Sequence, residues 1–145
     1  MKLRRILLVE DNEKDLELTL SALEQYHLAN AVEVARDGAE ALHVLATKFA
    51  DEPPAVVLLD LKLPKVDGLE VLKRIRSEPS TRHLPVAVLT SSREETDLVR
   101  SYQLGVNAFV VKPVDFQQFI ATVRDLGFFW AVLNEPPPRP PQPAV

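Results

Sequence analysis

Five short runs of branched or aliphatic residues recur along the chain: 5–9 (RILLV), 31–35 (AVEVA), 55–59 (AVVLL), 85–89 (PVAVL) and 108–111 (AFVV). The stretches between them carry apolar residues at helical spacing. Leu16, Leu20 and Leu23 form one such set, Ala41, Leu42 and Leu45 a second, Leu69, Leu72 and Ile75 a third, and Phe116, Ile120 and Val123 a later one. Strand and helix therefore alternate five times, which predicts an α/β fold around a parallel, doubly wound sheet. Four of the runs are apolar on both faces, as interior parallel strands are. The second is interrupted by Glu33 and followed by Arg36, so it is the expected edge. The glycines punctuate: Gly38 and Gly68 follow aspartates, Gly105 follows Leu104 at a helix end, and Gly127 falls late in the last helix.

The ending EPPPRPPQPAV (135–145) breaks this rhythm. It holds six of the twelve prolines and fits neither a helix nor a central strand. Residues 1–134 are expected to form one domain, with 135–145 a Pro-rich tail, extended or disordered. No internal repeat and no second domain is evident, and 145 residues suffice for one buried core. The net charge of -4 argues against a general nucleic-acid surface. With no cysteine there is no disulfide, no thiol chemistry and no Cys-based metal site. The opening MKLRRILLVE has the basic start of a signal peptide, but Glu10-Asp11 ends its apolar run far too soon. No segment approaches a membrane span of about 20 residues, so a cytoplasmic protein is expected.

The chemistry lies where the runs stop. In open parallel sheets, ligands bind beyond the carboxyl ends of the strands. The first run ends in Glu10-Asp11-Asn12, the third in Asp60, the fourth in Thr90-Ser91-Ser92 and the fifth in Lys112-Pro113. One rim therefore receives three carboxylates, hydroxyls and a lysine. Clustered carboxylates are costly unless a cation joins them. All-oxygen ligands favour hard ions such as Mg²⁺, Mn²⁺ or Ca²⁺. A carboxylate can also act as a nucleophile toward phosphorus, and phosphoryl transfer asks mainly for positioning and charge neutralisation. The set suits transient phosphorylation of Asp60.

The ordered pieces Glu10-Asp11, Asp60 with LKLPKVDG behind it, Thr90, and Lys112-Pro113 resemble the receiver domain of two-component response regulators, over residues 2–127. The resemblance implies a flavodoxin-like (βα)5 fold with strand order 2-1-3-4-5. It implies Asp60 as phosphoacceptor, Asp11 as a direct ligand of Mg²⁺ (with Mn²⁺ as a substitute), Glu10 acting through water, and the backbone carbonyl of Lys62 as a further ligand. Lys112 would pair with the phosphoryl group and Thr90 would swing toward it, aided by the N–H groups of Leu61 and Ser91. Phe109 would hold the switch aromatic position, and the Lys112–Pro113 bond would be cis. Ser91 stands where alanine is common in the family. Lys62 and Ser92 flank the path of the attacking water and would tune phosphate lifetime.

Simpler roles exist for each residue alone. Glu10-Asp11 would suit a helix N-terminus, Asp60 or Thr90 a cap, Phe109 the core, and Lys112 the surface. Their joint order argues against these, except that Phe109 reads as core in one of its two states. His27, His43 and His83 share no spacing and read as surface or half-buried residues. Phe128, Phe129 and Trp130 are consecutive, and one helix face cannot bury three successive aromatics. The simpler reading is a final helix packed on its own sheet with one aromatic left half exposed; the favoured one makes them candidates for a dimer interface, and receivers commonly pair through the face of helix 4, strand 5 and helix 5. The ending FFW…NEPPP resembles stand-alone response regulators associated with phytochromes, which implies a light-regulated sensor histidine kinase as phosphate donor. The expected function is that of a signalling module in a phosphorelay, with no nucleic-acid or membrane partner, and not that of an enzyme. Two alternatives are a haloacid-dehalogenase-type phosphatase, disfavoured because Lys62 stands where a second aspartate is needed, and a pseudo-receiver that is never phosphorylated. A nucleotide-binding flavodoxin-like protein is weaker still, since no Gly-rich loop follows the first strand.

Overall fold

A computed structural model describes residues 4–28, 31–112 and 115–138. Five strands, β1 (Ile6–Val9), β2 (Val32–Ala35), β3 (Val56–Leu59), β4 (Val86–Thr90) and β5 (Ala108–Val111), alternate with five helices, α1 (Glu13–Glu24), α2 (Gly38–Ala46), α3 (Gly68–Ser77), α4 (Glu95–Gln103) and α5 (Phe116–Phe128). All strand pairings are parallel and the order is β2-β1-β3-β4-β5. Each predicted run is a strand, and β2 is an edge as its charges indicate.

Side-chain alternation divides the core into two layers. Leu7, Val9, Val57, Leu59, Val86 and Val88 face α2 and α3, meeting Ala41, Val44, Val71, Leu72 and Ile75. Ile6, Leu8, Val56, Leu58, Ala87 and Leu89 face α1 and α5, meeting Leu16, Leu23, Phe119 and Val123. Strands β1, β3 and β4 are buried throughout. Strand β5 has the unbroken apolar run of an interior strand, yet it is the second edge, as the expected order 2-1-3-4-5 requires, and all four of its residues are only half-buried. An apolar run reports the absence of polar side chains and not the presence of a neighbouring strand.

Four helices start on a side-chain cap of the usual kind. Asn12, Asp37, Asp67 and Asp115 accept from the N–H groups of Asp15, Glu40, Glu70 and Gln118. Helix α4 has no such cap, and Ser101 is its one buried residue. Gly127 is not a stop: it lies inside α5 where that helix crosses α1, and a Cβ there would lie 2.3 Å from Leu23 Cδ2. Beyond α5, a π-helical turn (Phe129–Leu133) carries the chain to Asn134. Arg4 fastens this end by donating to the carbonyls of Trp130 (2.6 Å) and Asn134 (2.9 Å). Residues 135–138 form neither helix nor strand. The rest of the Pro-rich tail, 139–145, lies outside the described residues, as does Pro113 and with it the expected cis bond.

Candidate functional site

The sheet register brings the strand ends together. Ile6 to Val9 pair with Val56 to Leu59 residue by residue, so Glu10 and Asp60 leave adjacent strands side by side. Parallel pairing continues one step past the strands: Glu10 N–H donates to Ala35 O (3.0 Å) and Asp60 N–H to Val9 O (3.1 Å). On the other flank Thr90 pairs with Val111, and Lys112 N–H donates to Thr90 O at 2.7 Å. Glu10, Asp60, Thr90 and Lys112 are therefore mounted on sheet backbone.

Glu10 and Asp60 are buried, at 3% and 7% exposure, while Asp11 is exposed at the rim. The three can each offer an oxygen within 4.8 Å of the others. Lys112 crosses from β5 to meet them. Its Nζ donates to Glu10 Oε1 at 2.6 Å, Asp15 Oδ2 at 2.8 Å and Asp60 Oδ2 at 3.1 Å. Glu10 Oε2 also accepts from Asn12 N–H (3.2 Å), and Asp60 Oδ1 from Lys62 N–H (3.3 Å). Burial pushes the Glu10 carboxyl up to about 7, against the opposing pull of the Lys112 ammonium, and the Asp60 charge adds to the rise. Burial alone would lower the Lys112 pKa. Its hydrogen bonds to Asp15 and Glu10 and the charges of Glu10 and Asp60 outweigh that and raise it, so the amine stays charged. Three carboxylates on one ammonium leave excess negative charge, and the Glu10–Asp11–Asp60 oxygens suit a hard divalent cation, which would relieve it.

Thr90 is fully buried, and its Oγ1 accepts from Ser92 N–H at 3.2 Å. Phe109 is half-buried and packs on the α2–α3 side of the core. Lys62 turns its ammonium outward to Asp97 of α4 (3.9 Å), which also accepts from Ser92 Oγ (2.6 Å). Leu61 is buried behind Asp60, and Ser91 is exposed. Phe128, Phe129 and Trp130 lie far along the chain in α5 and its extension. Phe128 stacks on Tyr26 with ring centroids 4.8 Å apart, Trp130 packs against the α1–α5 layer, and Phe129 is left exposed.

Sequence reasoning missed Asp15 and Asp97. Asp15 had no direct signal: it lies in the first turn of α1, after the Asn12 cap, and its meeting with Lys112 depends on how that turn is set over the rim. Nor had Asp97, whose contacts with Lys62 and Ser92 depend on where α4 is set down.

The sequence matches the family model described as the response regulator receiver domain over residues 6–124. A solved bacteriophytochrome response regulator, AtBRR, is 64% identical, with a TM-score of 0.71, over 93% of this chain and all of that one. The phosphorylated cyanobacterial phytochrome response regulator RcpA superposes with a TM-score of 0.86 at 37% identity, over 94% of this chain and 100% of that one. Response regulator Rcp1 of Synechocystis sp. is 37% identical over 128 residues, 86% of this chain and 87% of its own, and has been solved in a Mn²⁺-bound form. Among the described residues no helix is long and apolar enough to cross a membrane. Fold, strand-end chemistry and sequence kinship agree: the chain belongs to the response regulator receiver family, and its likeness extends to members that serve phytochromes.

Proposed function

We propose that the protein accepts a phosphoryl group on Asp60 from the phosphohistidine of a sensor histidine kinase, of phytochrome type, and thereby switches the surface it offers to partners. The observation that carries this reading is the buried meeting of Asp60, Glu10 and the Lys112 ammonium beside exposed Asp11. A carboxylate oxygen of Asp60 attacks phosphorus, the phosphorus–nitrogen bond to imidazole breaks, and the kinase histidine leaves with the bonding pair. Glu10, Asp11, Asp60 and the Lys62 carbonyl would hold Mg²⁺, or Mn²⁺ in its place. Bound there, the ion neutralises charge on the transferring oxygens. Lys112 supplies a second positive centre at 3.1 Å from Asp60. Thr90 offers its hydroxyl to the new phosphoryl oxygens, vacating space that Phe109 fills, and the added charge of about -1.5 to -2 drives the shift.

Self-association belongs to the same reading. Leu98, Val99 and Tyr102 of α4 are exposed beside half-buried β5, and Phe129 and Leu133 are exposed near the chain's end. These apolar groups support a homodimer using the α4, β5 and α5 face with the C-terminal segment. The formal charge of -4 supports a protein partner over nucleic acid, and the protein would act in the cytoplasm beside its kinase.

The deciding experiment is phosphotransfer. An autophosphorylated phytochrome-type kinase should label the wild type in the presence of Mg²⁺ and leave Asp60→Asn unlabelled. Equal labelling of both proteins would overturn the assignment. Sustained hydrolysis of small phosphate esters would instead revive the phosphatase alternative.

A further inference from the structure

A lysine ammonium has three N–H donors. Lys112 directs all of them at carboxylates, from Glu10, Asp60 and Asp15. Two of these partners belong to the oxygen cluster a divalent ion would occupy, and Asp15 does not. The three also differ in setting: the side chains of Glu10 and Asp60 are 4% and 9% exposed, and that of Asp15 is 30% exposed at the site's edge. Asp15 is held there by its own helix. Its N–H donates to the Asn12 cap at 2.9 Å and its carbonyl accepts from the buried Thr19 hydroxyl at 2.7 Å. Neither bond involves the carboxylate, so the side chain is free to serve Lys112 alone.

We infer that Asp15 is a positioning residue for Lys112, keeping its ammonium aimed at Asp60 once a cation has claimed Glu10 and phosphorylation has altered Asp60. The inference rests on the reading of Asp60 as phosphoacceptor. Lys112 reaches the site on a flexible stem, and fixing such a stem is entropically costly. Glu10 and Asp60 can fix it in the resting site, but both are redirected as the reaction proceeds. Asp15 is the acceptor that neither event displaces, so its bond holds the lysine through the transfer.

The test is a double-mutant cycle on phosphate uptake from acetyl phosphate at saturating Mg²⁺, followed by intact mass over hours so that slow variants are still measured. Asp15→Asn and Asp15→Ala are each made in the wild type and in Lys112→Ala, and folding is checked by circular dichroism. Losing one hydrogen bond between charged groups should slow uptake about ten-fold in the wild-type background. In Lys112→Ala the same substitutions should cost nothing further, because there is no ammonium left to position. Equal losses in both backgrounds would mean a merely structural role and overturn the inference. Unchanged or faster uptake in Asp15→Asn would also overturn it, the faster case identifying Asp15 as a competitor for the lysine. If the wild type takes up no phosphate, or Asp60→Asn takes it up equally, the underlying assignment of Asp60 fails and this inference falls with it.

Discussion

Glu10 shows how a residue proposed to hold the cation can also be destabilising. It is buried beside an ammonium, yet its carboxyl is raised from 4.5 to about 7, because burial outweighs the attraction of Lys112. A carboxyl whose folded pKa lies above its unfolded one favours folding while protonated. That contribution is complete below about 4.5 and is lost as pH rises through about 7. Glu10→Gln keeps the shape and an acceptor for Lys112 but never acquires the charge. In metal-free buffer it should melt higher than the wild type, by a margin that widens between these two pH values. The ceiling is about 3 kcal/mol, as roughly 1.4 kcal/mol per pKa unit implies. Adding Mg²⁺ should narrow the gap by stabilising the wild type more. Paired thermal melts across pH measure this, and a variant less stable than the wild type at pH 8 would refute it. Glu10, Asp60, Thr90 and Lys112 were legible in the sequence because each directly ends a strand, so the sheet alone fixes its place. Asp15 was not, because its contact depends on the orientation of α1 over the rim and on a side-chain rotamer.

At the scale of elements, the turn from β3 into α3 is the joint that matters. Gly68 opens α3, and its N–H donates to Leu61 O at 2.9 Å. A Cβ there would lie 2.3 Å from Asp60 O and 2.5 Å from Leu61 Cα, both of them backbone. Backbone cannot rotate aside as a side chain can, so Gly68→Ala must push the loop carrying Asp60, Leu61 and Lys62 outward. Overpacking of this kind costs about 1–3 kcal/mol, and the melting temperature should fall by several degrees, which differential scanning calorimetry reads. Mg²⁺ affinity by titration calorimetry should weaken with it, since the Lys62 carbonyl belongs to the proposed ligand set. An unchanged melting temperature would show that the turn yields freely. Element existence was readable wherever a helix buries an apolar stripe, as α1, α2, α3 and α5 do. Helix α4 escaped that test for a physical reason: it buries Ser101 and turns Leu98, Val99 and Tyr102 outward. Its apolar residues are arranged for something other than its own core, and it lacks the side-chain cap that anchors the other four. The apolar pattern of strand β5, taken alone, resembled that of an interior strand, and only the family resemblance placed it at the edge.

On the scale of the whole molecule, three consecutive aromatics pose a packing problem that this fold solves unequally. The chain leaves α-helical spacing at Phe128 and widens into the π-helical turn, closed by Asn134 N–H donating to Phe129 O at 2.7 Å. Phe128 turns back onto Tyr26 and Trp130 onto the α1–α5 layer, with Phe129 edge-on to Trp130 at 4.9 Å. Phe129 is left 46% exposed, and Leu133 58%. That three successive rings could not all be buried was legible in the sequence; which one would be left out depended on the widened turn. The proposed dimer can therefore be separated from the stability of the protomer. Phe129→Ala removes apolar surface that the protomer leaves to solvent, so it should shift the mass measured by light scattering toward the monomer while leaving the melting temperature near that of the wild type. Phe128→Ala and Trp130→Ala remove half-buried rings and should lower the melting temperature, by less than the about 3–5 kcal/mol of a fully buried aromatic. If Phe129→Ala leaves the mass unchanged, the C-terminal segment is not part of the contact, and the exposed Leu98, Val99 and Tyr102 of α4 become the residues to truncate next. If Phe129→Ala instead melts well below the wild type, its ring supports Trp130 within the protomer and the separation drawn here is wrong.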